Sequence, residues 1–213
     1  MAKPDSKSDS KSDDLSSKFS HRDPSHPDFW SERFEQDFMP WDTGGVPQAL
    51  QQYVARSKPA TTLIPGCGSG HEVALLSEAG WDVTAIDFSS AAVDAARKVL
   101  GKWSERVLQA DFFTYQPQQP LGLIYERAFL CALPPAKRAA IVSRWAELLP
   151  AGATLAGFFF FDDAPKGPPF GISRAELERL LHADFELAGE QEVTDSIAVF
   201  AGRERWMEWR RRA

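Results

Sequence analysis

The sequence predicts an α/β fold: a mostly parallel sheet of seven strands, one of them antiparallel, with helices on both faces. Three observations point there. From Thr61 onward, short apolar runs alternate with segments of helical periodicity, the pattern of parallel strands joined by crossover helices. Ala153 to Phe161 is apolar but for Thr154, as expected of a strand covered on both faces. Gly66-Cys67-Gly68-Ser69-Gly70 follows an apolar run, where a strand turns sharply into a helix.

Met1 to Ser20 alternates Ser, Asp and Lys and reads as a disordered tail, too polar to offset its ordering entropy by burial. Residues 21–213 read as one domain. Its order is expected to start near Asp28, a cap-like residue ahead of a short helix with Trp30 and Phe34 four apart. Pro40 to Gly45 is a turn, and Pro47 to Arg56 a second helix. Strands follow at Thr61–Ile64, Trp81–Ile86, Arg106–Ala110, Leu121–Phe129 and Ala153–Phe161. Helices lie between them at His71–Ala79, Ala91–Leu100 behind Ser89-Ser90, and Pro135–Leu149. Ser173 to His182 is helical, with Ser173 and Glu176 in capping-box register. Phe185–Glu192 and Ser196–Arg203 complete the sheet as a hairpin turning near Thr194-Asp195, which makes one strand antiparallel.

A net charge of −6 argues against a nucleic-acid partner, which calls for a basic face. The basic, Trp-rich stretch from Arg203 to Arg212 reads as an amphipathic end that packs its Trp residues and leaves Arg in water. The alternatives are a nucleic-acid-binding stripe and a surface for protein association. No apolar run reaches the roughly 18–20 residues of a membrane helix, and no signal-peptide pattern opens the chain. Cys67 and Cys131 lack metal-ligand spacing, so no metal is expected; a reduced, cytoplasmic, monomeric protein is the simplest expectation.

Ligands of open parallel sheets bind beyond the carboxyl ends of the strands. Gly66, Gly68 and Gly70 stand at the end of the first strand and open a helix N-terminus. Asp87, followed by Phe88, closes the second strand, where a carboxylate accepts both hydroxyl hydrogens of a ribose. Asp111-Phe112 closes the third, where a carboxylate and a ring can hold an adenine. The dinucleotide fingerprint needs a third glycine where His71 stands, which disfavours a nicotinamide-dependent oxidoreductase. Cys67 is read as a small packing residue of the loop, and the four His residues form no catalytic cluster; His71 and His182 are expected to be solvated and structural.

Leu63-Ile64-Pro65-Gly66-Cys67-Gly68-Ser69-Gly70-His71, with Phe29-Trp30 and Pro40-Trp41-Asp42 upstream, resembles the thiopurine S-methyltransferase family. Asp111-Phe112-Phe113-Thr114, Phe129 to Pro134 and Gly167-Pro168-Pro169-Phe170 are similar to its halide and thiol methyltransferase branch, the "harmless to ozone layer" proteins. The similarity runs from about Asp28 to Phe200.

The resemblance implies the Rossmann-like methyltransferase form of the fold, S-adenosyl-L-methionine as cofactor and a small-molecule nucleophile as substrate. It implies that residues 28–58 form a helical cap over the cofactor, with Trp30 and Trp41 at the methionine end and Phe34 where the family often has Trp. Tyr125-Glu126-Arg127 resembles the family's Asp-Arg pair after the fourth strand, with Glu in place of Asp, and these three residues are the catalytic candidates. Arg127 matches thiopurine-type members better than the halide-methylating ones, so aromatic thiols and metalloid anions stand beside thiols, bisulfide, thiocyanate and halides as acceptors. A non-enzymatic cofactor-binding module is the distant alternative.

A methyl on a sulfonium is already activated, so the protein must align a nucleophile and exclude water. A thiolate or halide has no proton to lose and needs no strong base. Arg127 would favour such an anion by its charge, or else it pairs structurally with Glu126 or another core carboxylate. Trp41, Pro169 and Phe170 are read as the substrate lid.

Overall fold

Seven strands form one sheet in the order β3-β2-β1-β4-β5-β7-β6 in the computed structural model, which describes residues 18–213 except 43 and 165. The strands are β1 (Thr61–Pro65), β2 (Asp82–Asp87), β3 (Val107–Gln109), β4 (Leu123–Arg127), β5 (Thr154–Phe160), β6 (Phe185–Glu192) and β7 (Glu204–Arg211). The helices are α1 (Pro27–Glu35), α2 (Gln48–Arg56), α3 (His71–Glu78), α4 (Ser90–Leu100), α5 (Phe129–Ala132), α6 (Arg138–Leu148) and α7 (Arg174–Leu181). β1 to β5 run parallel, and β7 is antiparallel to both of its neighbours, so the single antiparallel strand expected from sequence is present.

Each face of the sheet carries its own core, as the alternation of side chains along a strand requires. One face packs Leu50 and Tyr53 of α2, Val73 and Leu76 of α3 and Val93 and Ala96 of α4. The other packs Ile141 and Trp145 of α6 and Leu177 and Leu181 of α7. β5 is buried from Leu155 to Phe160, as its apolar sequence implies.

Several local expectations need correction. The α1 helix starts at Pro27 with His26 as N-cap, so Asp28 lies in the first turn instead of capping it. Ordered contacts also precede Asp28: Phe19 is buried against Phe38, and the Glu32 carboxylate accepts the Ser20 N–H at 2.7 Å. Most of the tail expected to be disordered, residues 1–17, lies outside the described residues. The fourth strand stops at Arg127 because Ala128 takes a left-handed backbone (φ 58°), and the short α5 follows. The helix expected from Pro135 opens with a 3-10 turn over Pro135–Lys137 before α6. Ser89 and Ser173 are N-caps as expected, accepting the N–H groups of Ala92 and Glu176 at 3.2 Å. The Glu176 carboxylate, however, pairs with Arg138.

The largest error lies near the C-terminus. Residues 196–203 are not the last strand; they belong to the connection between β6 and β7, which is longer than a tight turn and contains Gly202 at φ 70°. The basic stretch instead becomes β7, threaded between β5 and β6. Trp206 enters one core while Met207 and Trp209 enter the other, which an interior strand can do and a solvated amphipathic end cannot. The expectation that Trp packs and Arg faces water holds at Arg203, Arg210 and Arg212, which are exposed.

Candidate active site

A cavity of about 750 Å³ opens at the carboxyl edge of β1 to β4, within the roughly 300–1,000 Å³ range of small-ligand sites. The strand order sets its residues in a row: Asp111 after β3, Asp87 ending β2, the glycine loop after β1, and Arg127 ending β4.

Gly66, Gly68 and Gly70 all take left-handed backbones (φ 58°, 52° and 67°), which side chains other than glycine's strain to adopt. A Cβ on Gly66 would also stand 2.6 Å from the Phe129 ring. The loop is therefore a backbone surface laid against the cavity. Asp87 accepts the Gly68 N–H at 3.1 Å and the Ser89 N–H at 2.9 Å, which ties the loop to the cap of α4. Burial raises its pKa to about 6, against the lowering effect of those backbone donors. Phe88 also lines the cavity. Asp111 is exposed and folds back to accept the Phe113 N–H at 2.8 Å, while Phe112 stands edge-on to Phe129 at 5.0 Å.

Trp30, Phe34 and Trp41 cover the loop from the other side. Trp41 contacts Trp30 edge-on at 5.4 Å and Phe34 at 6.2 Å, and Trp30 donates its indole N–H to the Pro24 carbonyl at 2.9 Å. The α1 helix is pinned to α4 by Ser31 Oγ and Ser89 Oγ, 2.9 Å apart. Next to Trp41, Asp42 binds His71 at 3.0 Å, accepts the Ser69 hydroxyl and accepts the Gly44 N–H at 2.7 Å. The His71 contact, with Ser69 and Gly44, holds the Asp42 carboxyl well below its usual range, and Asp42 raises the His71 pKa. His71 is thus a half-buried ion-pair partner on the cavity wall, not the solvated residue expected.

Of the three catalytic candidates, only Arg127 reaches the cavity. Side chains alternate along β4, so Tyr125 shares the Arg127 face but lies deeper, fully buried against Trp206, and Glu126 points to the opposite face. Glu126 accepts the Leu130 N–H at 3.0 Å in α5, and burial pushes its pKa up to about 8. Arg127 pairs with the buried Glu204 of β7 at 2.8 Å and lies over the rings of Phe158 and Phe200. Its partner is a core carboxylate, though not Glu126.

Within the expected lid, Trp41 and Pro169 line the cavity and Phe170 does not. The Phe170 ring turns back over Gly167, and its N–H binds the Cys131 carbonyl at 2.7 Å. Val199 and Phe200 occupy wall positions that the mistaken strand assignment hid. Glu72 and Cys131 also line the wall; Cys131 lies in the Phe129 to Pro134 motif, and no signal in the sequence marked Glu72. Desolvation, with the nearby Asp87 and Glu72, pushes the Cys67 thiol well above its usual pKa, which opposes a thiolate there. No cluster of metal-binding side chains occurs among the described residues.

The profile of the thiopurine S-methyltransferase family matches residues 25–212. Thiocyanate methyltransferase 1 of Brassica oleracea is 28% identical over 190 residues, covering 85% of this chain and 84% of its own. The thiopurine S-methyltransferase of Pseudomonas syringae pv. syringae is 27% identical over 204 residues, covering 84% of this chain and 93% of its own. Among solved structures, a Burkholderia thailandensis 1,6-didemethyltoxoflavin-N1-methyltransferase with bound S-adenosylhomocysteine superposes with a TM-score of 0.68 at 18% identity. That match covers 100% of this chain and 94% of the other, and it shows a shared fold.

Proposed function

The chain belongs to the thiopurine S-methyltransferase family and is an S-adenosylmethionine-dependent methyltransferase, and from that premise we propose that its acceptor is a small, soft nucleophile that arrives as an anion. Thiolates, bisulfide, thiocyanate and halides are the candidates.

The residues present fit the cofactor. The glycine loop is a cradle that a Cβ at Gly66 would fill, and Asp87 offers a buried carboxyl one strand away, where ribose hydroxyls would lie. Asp111, Phe112 and Phe88 would border the adenine, and Trp30, Phe34 and Trp41 would close residues 28–58 over the methionine end as a cap. When bound, the cofactor supplies a methyl group on a positively charged sulfur.

One observation carries the choice of acceptor. Arg127, Lys137 and Lys166, which follow β4 along the chain, all line the cavity; Arg127 is held by Glu204, and the two lysines are exposed. Such cations attract an anion, which suits a nucleophile that has already lost its proton. Glu204, Phe158 and Phe200 fix the guanidinium of Arg127, and the surrounding Trp41, Phe129 and Phe200 exclude water from the line of displacement.

A second reading, an aromatic thiol acceptor, is favoured by the rings of Phe129 and Phe200 on the same wall and by the name of the Pseudomonas relative. A cytoplasmic, monomeric enzyme with no nucleic-acid partner belongs to the same proposal; among the described residues no helix is long and apolar enough to cross a membrane.

The test incubates the protein with methyl-labelled cofactor and a panel of thiocyanate, iodide, bisulfide, aryl thiols and primary amines. Labelled volatile or thioether products support the proposal. Transfer to amines alone overturns it.

A further inference from the structure

Glu72 is a carboxylate 8% exposed on the cavity wall, in the first turn of α3 directly after the glycine loop. Among the described residues it has no ion-pair partner. The two cations near it are committed elsewhere: His71 to Asp42 at 3.0 Å and Arg127 to Glu204 at 2.8 Å. Its recorded side-chain contact is a long one, the Tyr125 hydroxyl donating to Oε1 at 3.4 Å. A carboxylate buried with so little compensation is costly, and a cation entering the cavity would relieve that cost.

We propose that Glu72 receives the α-ammonium group at the methionine end of S-adenosylmethionine. The strand order supports this. A ligand whose base and ribose lie at Asp111 and Asp87, beyond β3 and β2, crosses the β1 loop next and brings its far end to the gap between β1 and β4. Glu72 borders that gap, since Tyr125 on β4 touches it from behind. The cofactor carries a fixed positive charge at that end besides its sulfonium, and Glu72 is the wall carboxylate left without a counter-ion there. Burial holds its pKa above the ordinary carboxylate value, which is what an unmet counter-charge produces.

The inference rests on the cofactor assignment and not on the identity of the acceptor, so its test contains no acceptor. Calorimetry measures binding of S-adenosylhomocysteine, of its analogue lacking the α-amino group, and of 5′-methylthioadenosine. The intact protein is expected to bind S-adenosylhomocysteine roughly 10- to 100-fold more tightly than the desamino analogue, the range of a charge-assisted hydrogen bond. In Glu72→Gln the two should bind alike, while 5′-methylthioadenosine should be unaffected by the substitution. Equal binding of the first two ligands by the intact protein overturns the proposal. So does a loss in Glu72→Gln that is the same for all three ligands, which would mark Glu72 as a support of the loop. The comparison within the intact protein stands even if the variant fails to fold.

Discussion

Asp42 and His71 meet at 3.0 Å across the boundary between the segment that follows α1 and the helix that follows the glycine loop. Ser69 joins them from inside the loop. The three residues fasten the aromatic cover to the backbone cradle beneath it.

This fastening has a defined pH window. The raised folded pKa of His71 contributes stability that is present below the unfolded value, about 6.5, and is lost as pH rises through the folded value. The lowered pKa of Asp42 contributes stability that is present above about 3.9 and is lost as pH falls through its folded value. The difference in melting temperature between the intact protein and His71→Gln should be greatest near pH 5–6 and shrink above neutrality. A difference constant from pH 5 to 9 would show that the pair is not ionic.

Asp87 should make cofactor binding sensitive to acid. With its pKa near 6, the carboxyl must lose its proton before it accepts two ribose hydroxyls, so affinity is expected to fall about tenfold per pH unit below that value. The same raised pKa means that stability declines as pH rises from about 4 to 6, since the folded state holds the proton longer. Asp87→Ala should bind cofactor at least about 100-fold more weakly and still fold, as seen by calorimetry and circular dichroism.

Arg127 and Glu204 should be separable by a double-mutant cycle. Arg127→Ala leaves Glu204 buried and unpaired, so a loss of about 3–5 kcal/mol in urea unfolding is expected. Removing both charges should restore most of it. In variants that remain folded, turnover should fall more than cofactor affinity does; equal losses would mean that Arg127 serves the fold alone.

Truncation before Glu204 should abolish folding. It removes the strand that carries Trp206, Met207 and Trp209 into both cores, and each large apolar side chain contributes roughly 1.5–3 kcal/mol. A folded, active truncate would contradict the strand order.

The elements that sequence reading placed well are those with one dominant signal. β5 is apolar from Leu155 onward, and the cradle glycines sit where a strand must become a helix. The failures lie where two signals compete. Ser196 to Phe200 and Trp206 to Trp209 are both apolar enough to pass for a strand, and only the packing of two cores selects the second. The end of β4 depends on the left-handed Ala128, which no residue type announces. Tyr125, Glu126 and Arg127 were grouped as neighbours in sequence, although strand alternation already puts Glu126 on the other face. Asp42 and His71 were both visible within motifs, but their contact spans 29 positions and belongs to the tertiary fold.

The position of β7 also shapes the order of assembly. During synthesis β6 emerges before β7, its neighbour in the sheet, and β7 must also satisfy the open side of β5. Until residues 204–211 are available, two strand margins stand unpaired, a state prone to pairing with other chains. The nascent protein is thus most exposed to self-association late in translation, after its cradle half has all its strands.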